Sequence, residues 1–300
     1  MLNTVDVEMQ AHWFFFSWVT KLILGEIKAL DILRTIEEKH LTGITLFYYL
    51  WEKKTENDLL KLFKRISVDI KESPYTAEFN EQFISFQNKD NGRHLFFFLG
   101  QELMTTDNWH VLSVGVANLK PMSLWETMEE IIEKRGFGGI DHGGADPNKF
   151  FADISPKREQ ELRCFCRDFP GKFFIELNGY CIPQLRKFLG IFTNAVGLLY
   201  GDCNERMQYI AEEYGLPAVA STDLHIWSPN SLKELGSFRI KIPENDFLFD
   251  DPFGSLKRNI FYGNFENQME YVPIKFFVVN YMLPFFSSLV RDEIKTVFKG

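Results

Sequence analysis

The sequence predicts an α/β protein whose mostly parallel strands form a sheet that can close into a barrel. Strand-like apolar segments alternate with helix-like segments about seven times along the chain, which is the pattern of repeated β-α units. Several strand-like segments end in polar side chains, as parallel strands do where they open onto a ligand site. The 300 residues are 45% hydrophobic and 25% charged, which indicates a packed core in one large domain or two ordinary ones.

The first predicted strand, residues 4–12, carries a stripe of polar side chains. Apolar and polar residues alternate in this segment, so Glu8, Gln10 and His12 are expected on one face. Such a stripe is unusual for a core strand. One interpretation is an edge strand with one face in water; the other is a strand that contributes to a site.

The middle of the chain is predicted from periodicity. Helical spacing of apolar residues predicts a helix within residues 26–40, and the charged segment 52–71 is also helix-like. The polar, irregular residues 72–92 are expected to form a loop or an insertion. The strands predicted in this part are residues 41–48, 94–102 and 109–116. A short polar turn separates the last two, so they are expected to be hairpin-like neighbours.

Capping signals help to define the second half. Ser123 and Glu126 have the spacing of a capping box, and Pro156 suits the first position of a helix that continues to about residue 168. Further helices are predicted at residues 182–192, 204–214 and 231–235. Strands are predicted at residues 136–142, 173–177, 195–200 and 238–242, and in the run that begins at residue 218. The apolar residues 276–290 predict a buried helix pair broken at Pro284 or, as the alternative, a membrane or partner contact, because about 20 residues are needed to span a bilayer.

Charge and cysteine content restrict the partners and the compartment. The net charge of −8 argues against nucleic acid as a partner, which requires an excess of Lys and Arg. The four cysteines include Cys164 and Cys166, which point to different sides of a predicted helix and are poor ligands for one ion. The first eight residues have no basic side chain, so no secretory leader and a reduced, cytoplasmic location are expected. No membrane span is expected, and the oligomeric state stays open.

Metal-capable side chains gather at the predicted strand ends. The run from residue 218 ends in Asp223-x-His225, and two other strands end in Glu102 and His142. His110 lies just inside the strand that follows Glu102. Mixed histidine and carboxylate ligands suit zinc, manganese or iron. Each residue alone is weak evidence, but active sites of (β/α) barrels lie where the strands end.

These segments resemble the PHP (polymerase and histidinol phosphatase) domain, a distorted seven-stranded β/α barrel of metal-dependent phosphoesterases. Residues 220–225 and the Leu235-Gly236 pair are similar to the family's Ser-Asp-x-His segment and the Leu-Gly that trails it. The other similar segments, in chain order, are Gly100-Gln101-Glu102, Trp109-His110, Asp141-His142 and Ile175-Glu176-Leu177-Asn178. The resemblance implies a distorted (β/α)7 barrel over residues 1–265, with a C-terminal helical extension over residues 266–300.

The resemblance implies an incomplete set of metal ligands. The family opens with Asp-x-His-x-His; aligned with residues 5–10, both histidines are replaced. One metal site would keep Glu102, His110 and His142. A second would keep Glu102 and Asp223, with Glu8 and Gln10 in place of histidines. The third would keep only His225, which could then bind phosphate or act as an acid.

Two hypotheses about function follow from the resemblance. The first is a divergent metal-dependent phosphoesterase that acts on a small phosphorylated substrate. It would use one or two divalent ions (manganese, zinc, iron or magnesium) instead of three, with Asp223 and His225 as catalytic residues. The second is a degenerate domain that serves as a binding or scaffold module. An unrelated α/β protein stays as a third possibility.

Overall fold

The computed structural model describes residues 3–13, 27–48, 56–141, 145–146, 152–179, 203–226 and 229–271. The predicted helix 182–192, strand 195–200 and apolar segment 276–290 lie outside the described residues, as do Cys181 and His142. Within the described residues, no helix combines the length and the apolar character needed to cross a membrane.

The described strands form a barrel-like sheet and a small separate ribbon. Their bounds are β1 Thr4–Trp13, β2 Gly43–Tyr48, β3 Tyr75–Phe79, β4 Phe83–Asn88, β5 His94–Met104, β6 His110–Val114, β7 Phe137–Asp141, β8 Ala145–Asp146, β9 Ala152–Asp153, β10 Phe174–Asn178, β11 Ala218–Ser221, β12 Leu224–Ile226, β13 Phe238–Pro243 and β14 Glu266–Met269. The order across the sheet is β11-β10-β7-β6-β5-β2-β1-β13-β14, with β12 paired to β1 and the β3–β4 hairpin to β5. β8 and β9 pair only with each other.

Strand direction in the sheet is mixed. The pairs β1–β2, β2–β5, β7–β10 and β10–β11 are parallel, as the alternation of strands and helices predicted. β6 runs antiparallel to β5 and β7, which confirms the hairpin-like arrangement of the 94–102 and 109–116 segments. Because of this reversal, the first residue of β6 lies beside the last residues of its two neighbours.

Helices cover the outside of the sheet. The described α-helices are α1 Ala29–Glu38, α2 Glu56–Asp69, α3 Leu124–Glu133, α4 Pro156–Asp168, α5 Cys203–Tyr214 and α6 Pro252–Phe261. The predicted Ser123–Glu126 capping box is formed at the start of α3, and α4 begins at Pro156, as predicted, with Ser155 as its N-cap. Two apolar clusters lie between helices and sheet, one under α1 and α2 and the other under α3, α4 and α5.

A third apolar cluster fills one end of the barrel interior. Phe96 and Phe98 of β5, Phe137 of β7 and Phe174 of β10 are almost completely buried in it, together with residues of α6. With this end of the interior filled by apolar side chains, buried polar groups are left to the other end.

A side chain links β11 and β14, the first and last strands in the order of the sheet. Asn267 of β14 donates from Nδ2 to the carbonyl of Ala218, and its Oδ1 accepts from the amide of Ala220, both in β11. The sheet is therefore nearly closed, although β11 and β14 are not paired by a regular backbone ladder. The result is a mixed α/β barrel-like fold.

Three expectations differ from the structure. β1 is not an edge strand: its neighbours β2 and β13 cover both sides, and all its residues after Thr4 are buried. Residues 72–92 are not irregular, because β3 and β4 form an antiparallel hairpin there. Residues 266–269, expected in the helical extension, form β14 and pair with β13 because the alternating strand β13 offers them a free edge.

Candidate metal centre

A β-bulge divides the polar stripe of β1 between two faces. Glu8 lies opposite Ile44 of β2, whereas His12 lies opposite Phe47, and the register shifts by one residue between Glu8 and Ala11. An inserted residue reverses which side of the strand later side chains occupy. Glu8 therefore shares the outer face with Ile44. Gln10 and His12 face the polar end of the barrel interior.

His12 belongs to the first group of metal-capable atoms. Its Nε2 lies 3.1 Å from Oδ1 of Asp223, although the two residues are 211 positions apart in the chain. His225 joins them: its ring centroid is 4.8 Å from that of His12. One ligand atom from each of the three residues lies within 4.8 Å of the others.

His225 is held in one orientation by the backbone. Its Nδ1 lies 3.0 Å from the carbonyl oxygen of Asp223, which can only accept a hydrogen bond. The proton of a neutral His225 is therefore on Nδ1, and the lone pair is on Nε2. A histidine with this backbone contact is in the tautomer that metal ligands use.

Glu102, His110 and Asp141 form the second group. Nδ1 of His110 lies 2.7 Å from Oε1 of Glu102 and 4.0 Å from Oδ2 of Asp141. The antiparallel course of β6 makes this possible, because His110 is its first residue and lies opposite Met104 and Asp141. The ligand atoms of this group also lie within 4.8 Å of one another.

The two groups are neighbours. Oε2 of Glu102 lies 3.5 Å from Nε2 of His12, so the carboxylate that contacts His110 also faces the first group. The side-chain amide of Gln10 lies between the groups and donates to Asp223 Oδ1 at 3.0 Å and to Asp141 Oδ2 at 3.4 Å. Two ions bound by these groups would therefore be close together.

A further carboxylate, Glu176, lies beside the groups and is buried. Asn178 donates to both of its oxygens and also to Asp223 Oδ2, at 3.3 to 3.4 Å, and the hydroxyl of Ser221 donates to it as well. Each of these residues lies at or just before the end of its strand, β10 or β11. Glu176, Asn178 and Ser221 therefore form a hydrogen-bonded polar group beside Asp223, and Asn178 orients its carboxylate.

Burial and mutual charge shift the proton affinities of the centre. Burial lowers the pKa of His12, against the opposing charges of Glu102 and Glu176, so the neutral imidazole that binds metals is favoured. Burial also acts to lower the pKa of His110, but the hydrogen bond to Glu102 and the nearby carboxylates outweigh it and raise that pKa. The pKa of Asp141 is raised well above its usual value by burial and then by the charge of Glu176.

Glu8 lies outside both groups. It is fully buried, and burial raises its pKa to about 7, although hydrogen bonds from Thr222, Gln10 and Gly236 act in the opposite direction. The prediction that Glu8 could complete a metal site is not tested by the binding of any ion, but the Glu8 carboxylate belongs to neither group. The bulge turns its carboxylate away from Gln10 and His12, and backbone and hydroxyl donors occupy both of its oxygens.

The other predicted residues are placed as follows. The structure brings Glu102, His110, Asp223, His225 and Gln10 to one end of the barrel, with Gln10 as a donor between the groups. His142 lies outside the described residues. Sequence reasoning missed three participants: His12, Asp141 and Glu176. The signals were present, since His12 continues the polar stripe, Asp141 ends a strand, and Glu176 lies in a segment quoted for the resemblance.

The centre has an accessible side. The side chains of His110 and His225 are 24% and 12% exposed, while those of His12 and Asp141 are fully buried. A molecule from solvent would therefore reach the centre over His110 and His225. Carboxylates and neutral imidazoles donate electron pairs to cations, which makes this end suited to divalent metals.

Comparisons with known proteins show a similarity in structure but none in sequence family. No protein-family model matches the sequence, and no curated protein matches it. Among solved structures, the chain is similar to the crystal structure of the lesion-specific endonuclease PfuEndoQ from Pyrococcus furiosus, with a TM-score of 0.48 and 14% identity. The match covers 89% of this chain and 57% of that one, so this chain spans little more than half the length of the endonuclease.

One expectation is corrected at this point. The net charge of −8 led us to argue against nucleic acid as a partner, whereas a structure similar to this chain is that of an endonuclease. Net charge averages over a whole chain and does not describe the few groups that meet a phosphate at a metal centre. The net charge therefore does not exclude nucleic acid as a partner, and a similarity at this level assigns no substrate to the chain.

Proposed function

We propose that this chain is a metal-dependent phosphoesterase of PHP type whose centre uses the two groups described above. The observation that carries the proposal is the pair of adjacent groups, His12 with Asp223 and His225, and Glu102 with His110 and Asp141. Buried carboxylates at such short separation repel one another, and a bound cation offsets that cost. Divalent manganese, zinc, iron or magnesium would suit the mixed oxygen and nitrogen donors.

The resemblance supports the proposal better if the opening pattern of the PHP family is aligned two residues further along the chain. Aligned with residues 5–10, the pattern Asp-x-His-x-His finds no histidine. Moved by two residues, it falls on Glu8, Gln10 and His12 and keeps the last histidine. His12 lies in the centre, as that alignment requires, and the distorted (β/α)7 barrel is the fold we propose for the chain.

The roles of the residues follow from their positions. A bound divalent ion supplies a water of lowered pKa and neutralises charge on a phosphate. Glu102 and Asp223 would hold such ions from the buried side, with His12, His110 and Asp141 completing the two groups. His225, on the accessible side, would complete the first group through the lone pair on Nε2, because its backbone contact keeps the proton of the neutral ring on Nδ1.

One observation favours the second candidate, a binding module without catalysis. The amide of Gln10 already donates to Asp223 and Asp141, so a neutral group partly satisfies two carboxylates that would otherwise bind metal. A chain that has lost catalysis could keep its fold by such contacts. Metal content and hydrolysis distinguish the two candidates.

The test measures metal and activity on the same protein. Elemental analysis after purification without chelator should find one or two divalent ions per chain, and an aryl phosphate should be hydrolysed when Mn²⁺ is added. A small sugar phosphate and a short DNA oligonucleotide serve as further substrates. Asp223→Asn should abolish hydrolysis, while His94→Ala, at the far end of β5, should not change it. A protein that binds no metal and hydrolyses none of these esters would favour the binding module.

A further inference from the structure

The geometry points to Glu8 as a positioning residue that holds Asp223 in the orientation the metal centre needs. The inference rests on the proposed function, because the orientation of Asp223 affects metal affinity only if the centre binds a metal. Glu8 lies on the outer face of β1 and is fully buried. Its carboxylate contacts the residue before Asp223 rather than the centre itself.

Four donors converge on the two oxygens of Glu8. Oε1 accepts from the backbone amides of Thr222, at 2.9 Å, and Gln10, at 3.2 Å. Oε2 accepts from the amide of Gly236, at 3.1 Å, and from the hydroxyl of Thr222. One side chain therefore joins three segments: the start of the β1 bulge, the β11–β12 turn, and the turn before β13.

The backbone amides around Glu8 require acceptors. The hydroxyl of Thr222 accepts from the amide of Phe238 at 3.1 Å, and its proton can go to Glu8 or to the carbonyl of Phe238 at 3.2 Å. The amides of Thr222, Gln10 and Gly236 can only donate, and both oxygens of a carboxylate can accept. A glutamine would place an NH₂ group against donors, so the charge state and both oxygens of Glu8 matter to the fit.

The residue that follows Thr222 has an unusual backbone. Asp223 has a φ of +53°, in the left-handed region that non-glycine residues rarely adopt. Strained conformations of this kind persist only when the surroundings hold them. The conformation directs the carboxylate of Asp223 toward His12 and Gln10. Glu8 binds the amide and the hydroxyl of Thr222, the residue immediately before Asp223, and we infer that these contacts maintain the turn.

Hydrogen exchange of the metal-free protein tests the positioning directly. Glu8→Gln should speed exchange in the segment 221–226 by about tenfold or more, because the turn opens more often. The control Asn259→Ala removes a buried side chain with comparable hydrogen bonds in α6, far from the turn, and should leave exchange in this segment unchanged. Unchanged exchange in Glu8→Gln would overturn the inference.

Titration with Mn²⁺ tests the consequence. At a temperature where each variant is folded, Glu8→Gln should bind Mn²⁺ about 10 to 100 times more weakly, as loss of an outer contact does in metal sites. Asn259→Ala should bind it as the wild type does, although both variants melt earlier. Equal Mn²⁺ affinity in Glu8→Gln and wild type would reduce Glu8 to a role in stability and overturn the inference.

If Glu8→Gln does not fold, two variants of Thr222 test the same contact. Thr222→Val removes the hydroxyl and keeps the shape, whereas Thr222→Ser keeps the hydroxyl. Faster exchange and weaker Mn²⁺ binding in Thr222→Val, with recovery in Thr222→Ser, support the inference; no difference between them overturns it. If the wild type binds no Mn²⁺, the proposed function fails, and hydrogen exchange alone still decides whether Glu8 holds the turn.

Discussion

Glu102 reaches His12 across the barrel end, with Oε2 3.5 Å from Nε2, while its other oxygen lies 2.7 Å from His110. One carboxylate thus faces both groups of metal-capable atoms. Strands β1 and β5 are not neighbours, since β2 lies between them. The contact therefore depends on curvature of the sheet, and the barrel brings the two groups together.

The position of Glu102 predicts the largest single effect on metal content. Glu102→Gln keeps the size of the side chain but replaces one ligand oxygen by an amide, so both groups should bind metal more weakly. We expect Mn²⁺ affinity to fall by about 100-fold and hydrolysis to become undetectable. Calorimetric titration measures the affinity. Glu78→Gln, on the exposed face of β3, is the matched control. Unchanged binding in Glu102→Gln would remove this residue from the centre.

His12 provides a test of the corrected alignment. Its Nε2 contacts Asp223 and Glu102, so His12→Ala should lower Mn²⁺ affinity and hydrolysis by about tenfold or more. His40→Ala, in the exposed turn after α1, should change neither quantity. Metal analysis and initial rates on the three proteins are sufficient. Equal metal content in His12→Ala and His40→Ala would contradict a ligand role for His12.

The raised pKa of Asp141 predicts how metal affinity depends on pH. A carboxylic acid must lose its proton to bind a cation, and burial with the charge of Glu176 favours the protonated form in the metal-free protein. Mn²⁺ affinity should therefore rise as pH rises from about 5 to 8. Asp141→Asn should bind more weakly and with a shallower dependence on pH. His110 also has a raised pKa, so part of the slope should persist in this variant.

The extent to which sequence predicted the structure can be explained residue by residue. The β-α alternation and the Ser123–Glu126 capping box rest on local patterns, and they are found as expected. The strand ends are found within two residues: β5 continues from Glu102 to Met104, and Asp223 lies in the turn between β11 and β12. The bulge between Glu8 and Ala11 was missed, because a strictly alternating sequence contains no sign of an inserted residue. Alternation alone therefore placed Glu8 with Gln10 and His12.

Long-range contacts were the other source of error. Asp141 and Glu176 are ordinary acidic residues in their local sequence, and only the neighbouring strands β7 and β10 bring their charges together. The β3–β4 hairpin could not be predicted for a similar reason, because most of its exposed positions are polar and its stabilising contacts reach Glu37 of α1. Side chains that owe their role to tertiary contacts could not be identified from a single sequence.

Glu37 makes a separate prediction about stability. Burial alone would raise its pKa, but hydrogen bonds from Tyr75 and Asn88, with Asn91, outweigh burial and lower it. A carboxylate with a lowered folded pKa stabilises the protein above its unfolded pKa, about 4.5, and loses that contribution as pH falls through the folded value. Glu37→Gln should cost about 1 kcal/mol at neutral pH and less in acid. Urea unfolding at both pH values measures the difference, and a pH-independent difference would contradict it.

Gln10 predicts a gain of metal. Its amide nitrogen lies 3.0 Å from Asp223 Oδ1 and 3.1 Å from Nε2 of His12, so a donor occupies a place among groups that could all bind a cation. Gln10→His replaces that donor by an imidazole with a lone pair. The variant should bind Mn²⁺ or zinc more tightly and with about one further ion per chain. Gln268→His, on β14 and partly exposed, adds a histidine away from the centre and should not change the count. An imidazole between Asp141 and Asp223 is expected to complete a ligand set. Equal metal content in Gln10→His and Gln268→His would therefore show that Gln10 does not limit the number of bound ions.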